Sequence, residues 1–205
     1  MKDCLKDRNF YDGKINDPKL WSITSADQIE QQMSALVPII TALHDEGVHV
    51  AVETCLFVPS HNLELALNHI DFFYVDVKLL SPTLCKEVEK GNFELYLTNL
   101  QTLLAWRDEE RRGKPVVIRI PLIGGYTDSN DNRVLVHKLL EQYRNAILKI
   151  EIIKEHNLGE SKYRSLITAG ADIAMSEYKG VDDSLMDQYK EELDDLGIMT
   201  EICKI

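Results

Sequence analysis

The stretch Asp71–Leu80, "DFFYVDVKLL", reads as a buried strand with two opposite charges set into it, Asp76 and Lys78. A run of Phe, Tyr, Val and Leu this dense fits a strand covered on both faces, as in a parallel sheet. Side chains two apart on a strand share a face, so Asp76 and Lys78 project together. The charges are tolerable there if that face is a ligand site and the two groups also meet each other. An internal ion pair that only fixes the strand is the plainer alternative.

Outward from this stretch, apolar β-rich runs alternate with helical patterns. Upstream, Ile29, Met33, Leu36, Ile40 and Leu43 recur at helical spacing over residues 25–46, with Ser25 and Gln28 as a capping box, Pro38 as an expected kink and Gly47 as a stop. "VHVAVETC" (48–55) follows as a strand and 61–69 as a short helix. Downstream, Ser81-Pro82 opens a helix, 93–112 forms another, and "PVVIRIPLI" (115–123) is a strand ended by Gly124-Gly125. "TDSNDN" supplies N-caps for a helix through Val136, Leu139, Leu140, Tyr143 and Ile147, and "ILKIEII" (147–153) is the next strand. The tail repeats the unit, with a helix through Leu185, Tyr189, Leu193 and Leu196, then "IMTEICKI". Five strands are expected, with "LWSIT" (20–24) a sixth. Strand–helix alternation predicts a parallel α/β sheet with crossover helices, either a partial barrel or a doubly wound sheet, in a single domain over residues 1–205.

Composition bounds the function. The 205 residues are 44% apolar and 28% charged, an ordinary globular balance. A net charge of −11 with scattered Lys and Arg disfavours nucleic acid. No apolar run approaches the roughly 20 residues of a membrane span, and "MKDCLKDRNF" is no secretory signal, so a cytoplasmic monomer is expected. Cys4, Cys55, Cys85 and Cys203 form no CxxC pair and no zinc spacing, which predicts reduced, mostly buried thiols.

Polar residues gather at the carboxyl ends of the expected strands, where ligands of parallel α/β folds bind. These are Glu53 and Thr54, Asp76 and Lys78, Arg119, and His156 with Asn157. Lys78, Arg119 and His156 suit a carboxylate; Glu53 and Asp76 suit an ammonium or a metal cation. Together they suit a zwitterion such as an amino-acid moiety. Lys78 beside Asp76 also resembles a Schiff-base arrangement.

"DRNFY", "GVHVAVETC", "DFFYVDVKLL", "VVIRIPLIGGYTDSNDN" and "IEIIKEHNLGESKY" follow one another in an order that resembles the glycyl-radical-enzyme activating enzymes. These are radical S-adenosylmethionine (SAM) proteins similar to pyruvate formate-lyase activating enzyme, and the resemblance covers roughly residues 7–168. It implies a partial (β/α)6 TIM-like barrel. It implies that Lys78, Arg119 and His156 contact SAM, and that a glycyl radical enzyme is the protein partner. It further implies that Glu53, Thr54 and Asp76, with the Tyr74 backbone, lie where the family can hold a monovalent cation beside the SAM carboxylate.

The chain departs from the family pattern in two places. The family binds a 4Fe–4S cluster through a CxxxCxxC loop after its first strand; no such spacing occurs here, and the N-terminal cluster-binding unit is expected to be missing. The family's SGGEP-like stretch, whose backbone receives the SAM amino group, is replaced by "SITSADQIEQQ", without a glycine pair. Three thiolates are needed to hold the cluster that delivers the electron to SAM. The expectation is therefore the carboxyl-terminal portion of such an activating enzyme, inactive as a radical generator, with no residue acting as general acid or base. The alternative is a cluster-less, non-catalytic relative that binds a partner enzyme or a nucleotide.

Overall fold

The computed structural model describes residues 33–89, 91–109, 116–154, 164, 168 and 180–203. Five strands form one sheet: β1 (Ala51–Thr54), β2 (Phe72–Asp76), β3 (Val116–Leu122), β4 (Ile147–Lys154) and β5 (Met199–Cys203). Their order is β1-β2-β3-β4-β5 and every neighbouring pair is parallel. Crossovers between parallel strands are right-handed. When strand order never reverses, right-handed crossovers put every helix on one face. This is the singly wound geometry of a barrel wall, not a doubly wound sheet.

The helices are α1 (Met33–Asp45), α2 (Ser60–His69), α3 (Pro82–Leu84, running into a π-helical turn Cys85–Glu89), α4 (Phe93–Glu109), α5 (Asn130–Gln142) and α6 (Asp183–Asp194). Each boundary has a local cause. Ser81 and Ser129 cap α3 and α5 by accepting from Leu84 N–H (3.4 Å) and Asn132 N–H (3.3 Å). Asp182 does the same for α6 through Ser184 N–H at 2.9 Å. Gly47, at φ 73°, ends α1: its N–H donates to His44 O and Val48 N–H donates to Leu43 O, both at 2.9 Å. This is the paired closure that a left-handed glycine permits. Pro38 lies exposed within α1, which continues through it. α5 stops at Gln142, and a 3-10 turn (Arg144–Ala146) separates it from β4, so the helix ends short of the expected Ile147.

The core lies between the sheet and this single helical layer. Phe73, Val75, Val116, Ile118, Ile120, Leu122, Ile150 and Ile152 point into it and are at most 1% exposed. They meet Leu63 and Ala66 of α2, Leu100, Leu103 and Leu104 of α4, Val136 and Leu140 of α5, and Leu193 of α6. Burial at this density stabilises by roughly 1.5–3 kcal/mol per large side chain, before conformational entropy is set against it. No helix among the described residues is long and apolar enough to cross a membrane. The expected strand at 20–24 and the capping box at Ser25 lie outside the described residues.

Candidate functional site

Alternation along the strands sends the other set of side chains to the face opposite the helices. Register then decides which of them meet. Glu53 is level with Tyr74, Asp76 with Arg119, Arg119 with Glu151, and Glu151 with Glu201. A transverse row Asp76–Arg119–Glu151–Glu201 therefore crosses β2 to β5, with Glu53 diagonal to Arg119. β3 extends to Leu122, so Arg119 stands level with the last residue of β2 while lying three residues before the end of its own strand. The charges occupy the middle of this face as well as its rim.

These groups are linked. Arg119 Nη1 pairs with Glu53 Oε1, and Arg119 Nε lies 3.6 Å from Glu151 Oε2. Lys149 Nζ donates to Glu151 at 2.7 Å and to Glu201 at 3.0 Å. Hydrogen bonds first to Glu151 and then to Glu201 hold the Lys149 ammonium above the ordinary lysine pKa. Lys78 Nζ is 3.4 Å from Asp76 Oδ2, and both side chains are 18% exposed. The pairing read from Asp71–Leu80 is thus present, at the edge of a mixed-sign surface. Cys203 lies two residues beyond Glu201 on β5, level with Ile153; burial, followed by the Glu151 charge, pushes its thiol pKa up.

The segments that carry the charges out of β1 and β2 are fixed from below. Thr54 is 3% exposed, and its hydroxyl accepts from Leu56 N–H at 2.9 Å. By alternation it faces the helical layer, opposite Glu53. Leu56 has φ 61°, unusual for a residue with a branched side chain. Asn99 of α4 holds this turn: its Nδ2 donates to Leu56 O (2.9 Å) and Val58 O (2.7 Å), and its Oδ1 accepts from Ser60 Oγ (2.9 Å). Asn132 of α5 grips the exit of β2 in the same manner, through Lys78 O and Leu80 N–H.

Of the residues expected from sequence, Glu53, Asp76, Lys78 and Arg119 come together. Tyr74 lies beside Glu53 in the register, and Thr54 lies in the wall beneath it. His156 and Asn157 lie outside the described residues, as do Cys4 and Ser25-Ala26-Asp27. Lys149, Glu151 and Glu201 were not singled out from sequence. Lys149 and Glu151 carry the signal that drew attention to Asp76 and Lys78, two charges two apart in an apolar strand. Asn99 and Asn132 carry no such signal, since nothing local distinguishes a buried asparagine from a solvated one.

SAM and an iron–sulfur cluster make different demands on these residues. A face bearing Arg119 and Lys78 beside Glu53 and Asp76 fits the carboxylate and ammonium of an aminoacyl group. The donor set does not fit a cluster: Cys55 and Cys85 are buried, Cys203 is on β5, and no three His, Cys, Asp or Glu side chains among the described residues gather to hold a metal.

No protein-family model matches the chain. Curated relatives do. The chain is 29% identical over 157 residues to the 4-hydroxyphenylacetate decarboxylase activating enzyme of Clostridium scatologenes, covering 76% of this chain and 47% of that one. It is 33% identical over 147 residues to the benzylsuccinate synthase activating enzyme of Thauera aromatica, covering 71% and 41%. It is 28% identical over 164 residues to the trans-4-hydroxy-L-proline dehydratase activating enzyme of Clostridioides difficile, covering 80% and 51%. The chain thus spans about half the length of the curated relatives it matches. Among solved structures, a domain of pyruvate-formate lyase-activating enzyme from Bacteroides vulgatus superposes with a TM-score of 0.65 at 19% identity, over 85% of this chain and 93% of that one. In sequence the chain is similar to the glycyl-radical-enzyme activating enzymes, and its singly wound parallel α/β fold matches that of a domain of pyruvate-formate lyase-activating enzyme.

Proposed function

We propose that this chain is the SAM-holding portion of a glycyl-radical-enzyme activating enzyme and that its protein partner is a glycyl radical enzyme. The observation that carries the reading is the convergence of Glu53, Asp76, Lys78 and Arg119, remote in sequence, on the sheet face opposite the helices. Lys78 and Arg119, with His156, would receive the ligand carboxylate and neighbouring polar groups. Asp76 and Glu53 would receive the ammonium. Charge balance supports the same ligand. The face brings Glu53, Asp76, Glu151 and Glu201 against Lys78, Arg119 and Lys149, an excess of one negative charge. SAM carries a sulfonium, an ammonium and a carboxylate, an excess of one positive charge.

SAM, if held here, would supply a radical only with an electron from a cluster bound elsewhere. The cysteine spacing of these 205 residues supplies no such cluster, so we assign them ligand holding and partner recognition, and no electron transfer. Calorimetric titration of the chain with SAM tests this. The expected outcome is measurable binding that weakens about tenfold or more in Lys78→Met and in Arg119→Met, each loss being a charge-assisted contact. No binding by the wild-type chain, or affinity unchanged in both variants, would sink the proposal.

A second reading is favoured by one observation: Arg119, Lys149 and Lys78 are each already paired with a carboxylate of the same face. A self-neutralised face fits a non-catalytic relative that retains only the partner-binding surface. Recovery of a glycyl radical enzyme on immobilised chain, with SAM titration blank, separates this reading from the first.

A further inference from the structure

Residues Val77 to Leu80 leave β2 without regular secondary structure, yet they carry the cation on which the SAM reading depends. One buried side chain fixes them. Asn132, in the first turn of α5, is 1% exposed. Its Nδ2 donates to Lys78 O at 2.8 Å and to Thr127 O at 3.1 Å, and its Oδ1 accepts from Leu80 N–H at 2.8 Å. Bonding one residue's carbonyl and the N–H two residues on is what a neighbouring strand would do, and here an amide side chain does it. Only Asn and Gln offer two N–H donors and a carbonyl acceptor on one planar group, and Gln is a methylene longer. Asp lacks the donors, and Leu lacks both.

The bond to Thr127 widens the effect. Thr127 Oγ1 donates to Pro121 O and accepts from Ile123 N–H, both at 2.7 Å, so it is tied to the end of β3. Asn132 therefore joins the exit of the strand bearing Asp76 to the exit of the strand bearing Arg119. Its own place is set by the cap at Ser129. The short polar run "TDSNDN" thus does more than start a helix.

We propose that Asn132 is a positioning residue: it fixes the Lys78 backbone so that the ammonium stands beside Asp76, and through Lys78 it sets the affinity for SAM. The second half rests on the SAM reading above; the first does not.

Two measurements on the full chain separate them. The first is the rate of Lys78 acylation by limiting acetic anhydride, read by mass spectrometry relative to Lys149. Asn132→Ala and Asn132→Asp are expected to raise the Lys78 rate about fivefold, the factor set by losing a typical buried hydrogen bond, and to leave Lys149 unchanged. Asn132→Ser, which retains one donor, carries the same test if the larger changes prevent folding. The second is the SAM dissociation constant in a double-mutant cycle with Lys78→Met. Asn132→Ala should weaken binding about fivefold in the wild-type background and less than about twofold when Lys78 is already Met.

An unchanged Lys78 rate in folded variants overturns the proposal. Equal losses of SAM affinity in both backgrounds overturn its second half, because a merely structural role would act without Lys78. A faster Lys78 reaction in a chain that binds no SAM leaves Asn132 as the residue that holds Lys78 and removes the SAM reading instead.

Discussion

Replacing Asn99 with Ala should cost this fold a sizeable part of its stability. Asn99 is fully buried, and its Nδ2 is a donor to the carbonyls of Leu56 and Val58, two residues that are themselves fully buried. Alanine removes both bonds and leaves those carbonyls without this donor. Each buried group deprived of its partner costs about 1–3 kcal/mol. Water entering the small void recovers part of this, so the two together come to roughly 2–4 kcal/mol, against a typical total of about 5–15 kcal/mol. For a chain of this size that lowers Tm by roughly 5–15 °C.

Urea unfolding followed by circular dichroism reads the change as a lower midpoint at constant slope. Asn99→Asp separates hydrogen bonding from volume. It keeps the size and the acceptor for Ser60 but turns an oxygen toward two carbonyl oxygens. Desolvation and that repulsion raise the folded-state pKa of the new carboxyl, so the ionisation penalty is full above that raised value, fades as pH falls from it toward the unfolded value of about 3.9, and is absent below. A midpoint for Asn99→Ala within about 0.5 kcal/mol of wild type, at equal slope, would refute the reasoning.

Tyr189 carries a buried hydroxyl with no hydrogen-bond partner among the described residues, and burial pushes its phenol pKa up; Tyr189→Phe should leave stability unchanged or raise it by up to about 1 kcal/mol, read by thermal melting. The Lys149 pairs stabilise the fold below the unfolded lysine pKa of about 10.4 and lose that contribution as pH rises toward the raised folded value; the stability gap between wild type and Lys149→Met should therefore be constant from neutral pH to about 10 and close above it. A Cβ at Gly91 would lie 2.5 Å from Phe57 Cε1, and Phe57 is stacked on Tyr96 at 5.2 Å between centroids. Gly91→Ala should cost about 1–3 kcal/mol by overpacking, and Phe57→Leu in the same chain should recover part of it; additive losses would show that the ring can yield.

Architecture was legible because it depends on patterns the chain repeats. The strand expected at 115–123 is observed at Val116–Leu122, and that at 147–153 at Ile147–Lys154. β2 ends at Asp76, short of Leu80, because the Asn132 amide takes the hydrogen bonds a further strand would have made, and no local pattern announces a partner 52 residues away. The strand pattern alone left barrel wall and doubly wound sheet open, since strand order is a property of the whole chain; the resemblance implied the barrel, and the observed order agrees with it. At the site, Glu53, Asp76, Lys78 and Arg119 could be named from charge interrupting apolar strands. That Arg119 would pair with both Glu53 and Glu151 could not, because cross-strand partners follow from register, which shifts at Val116/Val117 between β3 and β4.

The unbroken order β1-β2-β3-β4-β5 has a consequence for how the chain is made. Each of β2 to β5 bonds to the strand synthesised just before it, so every pairing joins strands adjacent in the chain, at an entropic cost that grows slowly with loop length. A strand can dock soon after it leaves the ribosome, without waiting for a distant segment to insert beside it. The cost falls on the nascent state: after every step the newest strand presents unpaired amides and carbonyls to solvent, a ready template for a neighbouring chain until its own successor arrives.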